Sequence, residues 1–320
     1  PEATVLHLSA WSRAIHKTFG HKIYNLVARE NGSIVGILPL IHVKTRLFGN
    51  QLISNAFAVY GGPVADSDAA HDALDQAAED IGKKLNVGAI EYRNRSRLRP
   101  GWPAKTESYA TFRRAMGDTS DAILKNIPRK QRAMVRKGIK AGLKAVVDQS
   151  RERHFAIYSE SVRNLGTPVF PRSLFQNLLS CYGDRADILT IEHEGRAIAS
   201  VLSFYFRNEV VPYYGGSIPA ARAIAGNDYM YWALMEHAHA RGFTHFDFGR
   251  SKFGTGPFSF KKNWGFEPSP LAYEFKLLRD QELPDVNPLN PKYQLMIKTW
   301  KKLPLPIANR VGPFVARGLG

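Results

Sequence analysis

The chain has 320 residues, of which 44% are hydrophobic and 22% are charged, and its formal net charge is +16. This length exceeds the ~100 to 200 residues of one typical domain, so the sequence predicts two domains, each with its own core. Because no run approaches the ~18 apolar residues of a membrane-spanning helix and Cys181 has no second cysteine to pair with, we expect a globular protein of the reducing cytoplasm.

The first predicted elements are a β-hairpin, a turn, a helix and a further strand. The stretch 23–43, IYNLVARENGSIVGILPLIHV, contains two alternating apolar strands joined at Asn31-Gly32, a strong hairpin signal. The turn Tyr60-Gly61-Gly62 follows, then a helical stretch over 68–85 and a strand that ends at 89–92. We assign residues 1–115 to a first domain, because the Pro- and Gly-containing stretch 100–117 is typical of a linker.

A strongly basic helix is predicted next, within 121–147, DAILKNIPRKQRAMVRKGIKAGLKAVV. From residue 129 onward its basic positions fall within an arc of roughly 160° on one helical face. They are Arg129, Lys130, Arg132, Arg136, Lys137, Lys140 and Lys144. A charged helical face is often only solvated, but like charges at this spacing repel one another and favour a phosphate-bearing partner. Transfer RNA, a nucleotide sugar diphosphate and an anionic membrane all fit this description.

The order of the first elements then recurs, which indicates duplication of a whole domain. Residues 187–206, DILTIEHEGRAIASVLSFYF, repeat the hairpin with Glu194-Gly195 at its turn. Tyr214-Gly215-Gly216 follows as a second predicted Gly-Gly turn, then a helix from about Asp228, its predicted N-cap, to Arg241 and a strand ending at 245–248. The fold class is therefore α/β with mixed sheets. Two such units, 1–115 and 116–280, match the layout of tandem GNAT acyltransferase domains.

The segment 247–275, DFGRSKFGTGPFSFKKNWGFEPSPLAYEF, is dense in glycine, aromatic residues and lysine. Such a segment can bring backbone amides and amines close to a ligand, so we predict that it forms a wall of the active site. Trp264 and Phe266 are predicted to fill the core. Candidate substrate-binding residues are Arg250, Lys252 and Lys262, together with Tyr60 and Tyr214 of the two repeated motifs.

Several motifs together resemble the FemAB family, in particular the members associated with PEP-CTERM/exosortase and exopolysaccharide systems. They are IPRKQRAMVRKGIKAGL at 127–143, the turn at 60–63, FSFKKNWGFE at 258–267 and the ending LPLPIANRVGPFVARGLG. The resemblance covers nearly the whole chain. It implies a tandem GNAT-like acyltransferase that moves an aminoacyl group from aminoacyl-tRNA, or another acyl group, to an amine of a cell-envelope or exopolysaccharide-related substrate. It implies no permanently bound cofactor.

The resemblance also assigns roles to residues. A Phe-Lys pair that lies beside the reacting carbonyl in the family corresponds to Phe260 and Lys261, and we expect Lys261 to stabilise the developing oxyanion. A Gly-Pro-x-x-Asp pattern corresponds to Gly62, Pro63 and Asp66, so Asp66 is a candidate to orient or deprotonate the amine, although it could equally be a helix N-cap. Arg129 to Lys137 would hold phosphate. This sequence lacks the inserted coiled-coil arm of the Gram-positive enzymes. That difference weakens the case for tRNA as the donor.

Two alternatives remain open at this stage. An acyl-CoA-dependent N-acyltransferase acting on a sugar or lipid amine would need a pyrophosphate loop, and the sequence offers only Arg222-Ala-Ile-Ala-Gly226-Asn there. A non-catalytic component at a membrane surface would suit the basic, apolar ending 281–320, which we expect to pack on the first domain or on anionic lipid. No metal site is predicted, since His237 and His239 are two residues apart on a helix and do not share a face.

Overall fold

A computed structural model describes residues 3–45, 49–148, 151–279, 283 and 291–320. The strands within these ranges are β1 (Lys22–Glu30), β2 (Ser33–Thr45), β3 (Gly49–Ser54), β4 (Val64–Ala65), β5 (Ala89–Asn94), β6 (Ala104–Lys105), β7 (Tyr109–Ala115), β8 (Lys144–Val147), β9 (Ala186–His193), β10 (Arg196–Phe206), β11 (Glu209–Ser217), β12 (His245–Asp247), β13 (Ser251–Lys252), β14 (Pro268–Pro270) and β15 (Ala272–Leu277). The α-helices are α1 (Ser9–Phe19), α2 (Asp68–Lys84), α3 (Ser120–Asn126), α4 (Arg129–Lys140), α5 (Arg151–Leu165), α6 (Arg172–Tyr182), α7 (Ala220–Ala223), α8 (Gly226–Ala240), α9 (Gly256–Asn263), α10 (Pro291–Lys302) and α11 (Leu305–Ala316).

The chain forms two compact units. The first comprises Pro1–Tyr109, Pro270–Asn287 and Phe314–Gly320, and the second comprises Ala110–Ser269 and Pro288–Pro313. These bounds differ from the sequence segments 1–115, 116–280 and 281–320 in several places, because strand pairing rather than chain order decides membership. β7, placed in the predicted linker, pairs with β12, whereas β15 pairs with β5 in the sheet of the first unit.

The first unit is built on a mixed sheet of seven described strands, in the order β1-β2-β3-β5-β15-β6 with β4 beside β2. β3 and β5 are its parallel pair, joined in chain order by α2. Ser67 caps α2 by accepting a hydrogen bond from the Ala70 amide (3.2 Å), and Ala70, Leu74 and Ala78 form the buried stripe of the helix. This helix covers a core that includes Leu38, Leu40, Leu52, Ile90 and Tyr92.

The second unit is built on a mixed sheet of eight described strands, in the order β13-β7-β12-β11-β10-β9-β8 with β14 beside β7. β11 and β12 are its parallel pair, joined in chain order by α7 and α8. The core of this unit contains the fully buried rings of Phe246, Trp264 and Phe266, which confirms the core assignment of Trp264 and Phe266. The prediction of mixed sheets with helices is therefore confirmed in each unit.

Both predicted hairpins are present. The turns at Asn31-Gly32 and Glu194-Gly195 have positive φ at both residues (48° and 80°, 50° and 77°), as a type I′ connection requires. The helix predicted over 228–241 ends as expected, since Gly242 adopts φ 84° directly after it.

Three local predictions are wrong. Tyr214-Gly215-Gly216 is not a turn but part of β11, because its residues pair in register with 200–202 of β10. Asp228 is not the N-cap of α8, which begins at Gly226 after Ala225 in the left-handed region (φ 57°). The basic helix is also shorter than predicted. It begins at Arg129 after Pro128, and Gly142 in the left-handed region (φ 73°) follows its end, so Lys144 lies on β8.

Candidate active site

In the second unit the parallel strands β11 and β12 pair with each other only at their amino ends. Glu209 pairs with His245 and Val210 with Phe246, after which β12 ends at Asp247 while β11 continues to Ser217. A bulge in the β10–β11 ladder inserts Tyr213 between the pairs Leu202–Tyr214 and Ser203–Pro212. The carboxyl half of β11 is therefore not bonded to its parallel neighbour, and ligands of α/β proteins bind where parallel strands separate at their carboxyl ends.

The backbone of β11 directs hydrogen-bond donors into this separation. The Ile218 amide donates to the Ile198 carbonyl of β10 (3.0 Å). In an antiparallel ladder the N–H groups of successive residues point to opposite edges, so Gly216 also faces β10 while the amides of Gly215 and Ser217 face away from it. Gly215 and Ser217 are both partly exposed. Two N–H donors of β11 thus point into the gap that opens beyond the end of β12.

The opposite side of the separation is held by Lys261. Its ammonium group donates to the carbonyls of Phe248 (2.7 Å), Gly249 (3.0 Å) and Arg250 (3.1 Å), the three residues that follow β12. An ammonium group has three N–H donors, so these bonds use all of them. Lys261 therefore fixes the backbone after β12, and it would have to release a carbonyl before it could donate to an oxyanion.

The surroundings of Lys261 depress its basicity. Its side chain is 9% exposed and its Nζ lies over the rings of Phe112 (5.5 Å) and Phe248 (5.8 Å). Burial lowers the pKa of Lys261 to about 7, the carboxylate of Asp247 opposes this shift, and the charge of Arg250 adds to it. Asp247 is itself fully buried and accepts from the Gly249 amide (2.7 Å). Burial therefore disfavours the ammonium form of Lys261, while the three carbonyl acceptors stabilise it.

Phe260, the partner of Lys261 in the predicted Phe-Lys pair, belongs to an aromatic cluster. Its ring centroid lies 5.7 Å from Tyr231, 6.3 Å from Phe248 and 6.0 Å from Trp264. It is partly buried against the hydrophobic core. This packing anchors α9 and so sets the position of Lys261, the next residue.

The other predicted substrate-binding residues of the second unit occupy different settings. Lys262 is exposed on α9, while Arg250 and Lys252 are partly buried. Tyr214 is 8% exposed among the rings of Tyr158, Phe170, Phe175 and Tyr213. Burial raises the pKa of Tyr214 well above its usual value, and the charge of Arg250 acts in the opposite direction. Arg250 is therefore within electrostatic range of both Lys261 and Tyr214.

The helix α4 presents the predicted cationic face to solvent. Its buried residues Gln131, Val135 and Gly138 follow the i, i+4, i+7 spacing of one face, and Gly138 lies so close to Tyr229 of α8 that a Cβ there would be 2.8 Å away. The exposed basic residues are Arg129, Lys130, Arg136, Lys137 and Lys140. Arg132 is half-buried and donates to the Ile127 carbonyl (3.2 Å), so it stabilises the start of the helix.

The start of α4 meets the end of α9. A Cβ on Gly265 would lie 3.0 Å from Cγ of Pro128, the residue before α4. Arg114 joins the two segments, because its Nη1 donates to the carbonyls of Gly265 (3.2 Å) and Asn126 (3.4 Å). The exposed cations at the start of α4 are therefore next to the turn that follows Lys261 and Lys262.

The amino end of α8 is occupied by protein groups. Asp228 lies in its first turn and accepts a hydrogen bond from Nε1 of Trp264 (3.1 Å). Burial raises the pKa of Asp228. A carboxylate in the first turn interacts favourably with the helix dipole and would repel a pyrophosphate at the same place.

The first unit contains a cavity of about 190 Å³ beside the carboxyl end of its parallel pair, β3 and β5. It is lined by Thr4, His7, the 60–65 stretch, His71, Arg93, Asn94, Arg95, Ser96 and Leu98. Tyr60 is buried, with the Arg95 guanidinium 4.6 Å from its ring centroid. Arg93 pairs with Glu91 (2.8 Å) and donates to the Ala58 carbonyl (2.7 Å), so it supports the cavity wall.

His7 fixes the glycine turn of this cavity. Its Nδ1 accepts from the Thr4 amide (3.0 Å), so its Nε2 carries the proton and donates to the Gly62 carbonyl (3.0 Å). Burial lowers the pKa of His7 to about 4, so the ring is neutral near pH 7. Gly62 has no room for a side chain, because a Cβ would lie 1.5 Å from Oδ1 of Asn94. Asp66 is exposed, precedes the N-cap Ser67 of α2, and is outside the residues that line the cavity.

No curated protein sequence matches the chain significantly. Residues 124–262 match a family model described as an acetyltransferase (GNAT) domain. This GNAT-type match contains α4, β11, α8 and Lys261, the elements that form the candidate site of the second unit.

Several solved structures share the fold. FemX is similar with a TM-score of 0.67 and 16% identity, over 93% of this chain and 95% of that chain. A C-terminal domain (DUF2156) attributed to a lysylphosphatidylglycerol synthetase from Agrobacterium fabrum gives 0.57 and 13%, over 83% and 87%. A tandem GNAT protein from the clavulanic acid biosynthesis pathway gives 0.51 and 13%, over 82% and 85%. The predicted fold class, two tandem GNAT-like domains, is confirmed.

The structure brings some predicted residues together and separates others. Lys261, Phe260, Lys262, Arg250 and the start of the cationic face share one region of the second unit, whereas Tyr60 and Asp66 belong to the first unit. Sequence reasoning missed the amides of Gly215 and Ser217 and the supporting side chains of His7 and Asp247. Gly215 does carry a signal, but the local sequence Tyr214-Gly215-Gly216 predicts a turn. His7 lies far in sequence from the turn it fixes, so no local pattern identifies it.

No cluster of three or more His, Cys, Asp or Glu side chains able to hold a metal ion occurs among the residues that the structure describes. Likewise, none of the helices in the described ranges is long and apolar enough to cross a bilayer.

Proposed function

We propose that the protein is a FemAB-like acyltransferase that transfers an aminoacyl group from aminoacyl-tRNA to an amine of a cell-envelope or exopolysaccharide-related acceptor. The observation that carries this proposal is the separation of β11 from β12, with two backbone N–H donors on one side and the Lys261-held turn on the other. The cationic start of α4 lies next to Gly265, in the turn that follows α9, the helix that carries Lys261. In this proposal the strand separation binds the reactive carbonyl and α4 binds the phosphate-bearing carrier.

The proposed reaction is direct attack. The nitrogen of the acceptor amine bonds to the acyl carbonyl carbon, the ester bond to the terminal ribose oxygen of the tRNA breaks, and that oxygen takes up the proton that the amine loses. The amides of Gly215 and Ser217 would stabilise the negative charge on the carbonyl oxygen, and preorganised donors of this kind contribute typically ~100- to 1,000-fold each. Lys261 acts here as a positioning residue that holds the 248–250 backbone.

The choice of donor follows from charge. The exposed cations of α4 suit a polyanion such as tRNA, whereas Asp228 occupies the helix end at which coenzyme A would place its pyrophosphate. One structure of similar fold is attributed to a lysylphosphatidylglycerol synthetase, a name that describes an aminoacyl product. In this proposal that name is taken as support for an aminoacyl donor.

The cavity of the first unit is proposed as a separate binding site for a phosphate-bearing sugar or nucleotide. Its wall combines the Tyr60 ring with Arg95, and the neutral His7 holds the 61–63 turn in place. An aromatic ring and a cation are suitable for a sugar or nucleotide carrying a phosphate. Asp66 does not line this cavity, and its proposed role with the amine comes from the family resemblance. Association with an exosortase-type system likewise rests on that resemblance.

Donor binding provides the test. We expect calorimetry to show that bacterial tRNA charged with a mixture of amino acids binds at least about 100-fold more tightly than acetyl-CoA or palmitoyl-CoA at 100 mM salt, since only tRNA engages many cations at once. Uncharged tRNA is the control, because the difference between its affinity and that of charged tRNA measures the contribution of the aminoacyl group. Tighter binding of either acyl-CoA would contradict the proposed donor and favour an acyl-CoA-dependent N-acyltransferase.

A further inference from the structure

The last thirty residues concentrate positive charge and exposed apolar side chains. Residues 291–320 contain six Lys or Arg and no Asp or Glu. Eleven large hydrophobic residues are exposed in the described part of the chain, and five of them fall here: Met296, Ile307, Val311, Phe314 and Leu319. The acyl-transfer site described above uses none of these residues.

The helix α11 has two different faces. Ala308 and Ala316 are fully buried, and a Cβ on Gly312 would lie 2.6 Å from the Val169 carbonyl oxygen. This small-residue face lets α11 pack closely on the protein. At about 100° per residue the buried positions 308, 312 and 316 span an arc of about 80°.

The outward face of α11 is apolar. Ile307, Val311 and Phe314 are 48%, 41% and 80% exposed. Their i, i+4, i+7 spacing places them within an arc of about 60°, whose centre is about 130° from that of the buried face. Because the buried face is tightly packed, these side chains are held outward on a fixed helix.

Cations border this apolar face. Arg310 lies one turn from Phe314 on the same helix and is exposed, as are Lys301 and Lys302 at the end of α10 and Arg317 just after α11. The preceding helix α10 is also fixed, since a Cβ on Gly166 would lie 2.5 Å from Cγ2 of Ile297. An apolar stripe edged by Lys and Arg complements a bilayer that contains anionic lipid, because the rings and aliphatic groups enter the acyl boundary while the cations meet the headgroups.

We propose that α11 docks the protein on an anionic membrane surface, with Ile307, Val311 and Phe314 inserted at the interface. The cations of 298–317 supply attraction to the headgroups. This attachment is separate from acyl transfer and would hold for a protein with or without that activity.

Vesicle sedimentation with the full chain tests the proposal. We expect binding to vesicles of phosphatidylglycerol and phosphatidylcholine, and at least about ten-fold weaker binding to pure phosphatidylcholine. The variant Ile307→Ser/Val311→Ser/Phe314→Ser should lower the partition coefficient about ten-fold or more, because three exposed apolar groups no longer enter the interface. The same variant should stay folded, with a thermal unfolding temperature close to that of the wild type, since at least about two-fifths of each replaced residue is exposed.

Matched replacement of three exposed apolar residues on other elements, Val27→Ser/Ile34→Ser/Val147→Ser, is the control and should leave vesicle binding unchanged. Equal loss in both variants, undiminished binding by the α11 variant, or equal binding to neutral vesicles would overturn the proposal. Light scattering adds a further outcome: a dimer that the α11 variant dissociates would identify the stripe as a contact between copies of the chain and reject the membrane assignment.

Discussion

Lys261→Met is expected to lower kcat for acyl transfer at least about 100-fold while changing donor affinity less than about three-fold. Methionine has nearly the same length and can keep the packing against Phe112 and Phe248, but it cannot donate to the three carbonyls after β12. Those carbonyls would lose their partner, and one side of the strand separation would loosen. A 100-fold loss corresponds to an increase of about 2.7 kcal/mol in the activation free energy. A misplacement of the reacting groups by about 1 Å has an effect of this size. Single-turnover kinetics with bound donor separates the chemical step from binding.

Two further variants show whether the effect of Lys261→Met is specific to Lys261 and to its hydrogen bonds. Lys262→Met removes the neighbouring exposed cation on the same helix and should affect donor affinity more than the chemical step. Lys261→Arg keeps a charge and several donors, so partial recovery would support positioning through the carbonyls.

The pH dependence of kcat tests the alternative role, in which the charge of Lys261 itself stabilises the oxyanion. Burial lowers the pKa of Lys261 to about 7, so in that case wild-type kcat would fall as pH rises through 7, and Lys261→Met would not show this fall. Normal turnover of Lys261→Met would exclude both roles.

Neutralising the exposed face of α4 is expected to weaken the binding of charged tRNA about 100-fold or more at 100 mM salt. The variant Arg129→Gln/Lys130→Gln/Arg136→Gln/Lys137→Gln removes four exposed cations without touching Gln131, Val135 or Gly138, which pack the helix on the unit. Each lost phosphate contact should reduce the slope of log affinity against log salt by roughly 0.7 to 0.9, or about 3 in total. Filter binding between 50 and 300 mM salt measures both quantities.

The control variant removes four exposed cations from other elements: Lys17→Gln, Lys84→Gln, Arg185→Gln and Arg196→Gln. It has the same net charge as the α4 variant, so general attraction to a polyanion would weaken both equally. We expect the control to lose less than about five-fold. Equal losses would show that the α4 face is a solvated surface and not a binding site.

Much of the fold was predictable because its signals are local. Asn31-Gly32 and Glu194-Gly195 demand turns with positive φ, and alternating apolar residues on both sides demand paired strands, so both hairpins follow from the sequence. The cationic face of α4 was predictable for the same reason, since helical periodicity alone aligns Arg129, Arg136 and Lys140.

The remainder depends on pairing between distant segments. Tyr214-Gly215-Gly216 has the composition of a turn, and only its register with β10 makes it a strand. The return of β15 to the sheet of the first unit and the pairing of β7 with β12 leave no mark in the local pattern. The burial of Lys261 could not be predicted either. Its three acceptors are backbone carbonyls, which every residue has, so the sequence does not identify them.

Hydrogen–deuterium exchange with a bound donor tests the central claim most directly. Total bacterial tRNA charged with mixed amino acids should slow amide exchange in three segments of the second unit: 213–218 of β11, 248–262 around Lys261, and 129–137 of α4. Uncharged tRNA should protect 129–137 but protect 213–218 much less, because only the acyl group reaches the separated strands. Protection by charged tRNA that leaves 213–218 and 248–262 unchanged would contradict the assignment of the acyl-transfer site.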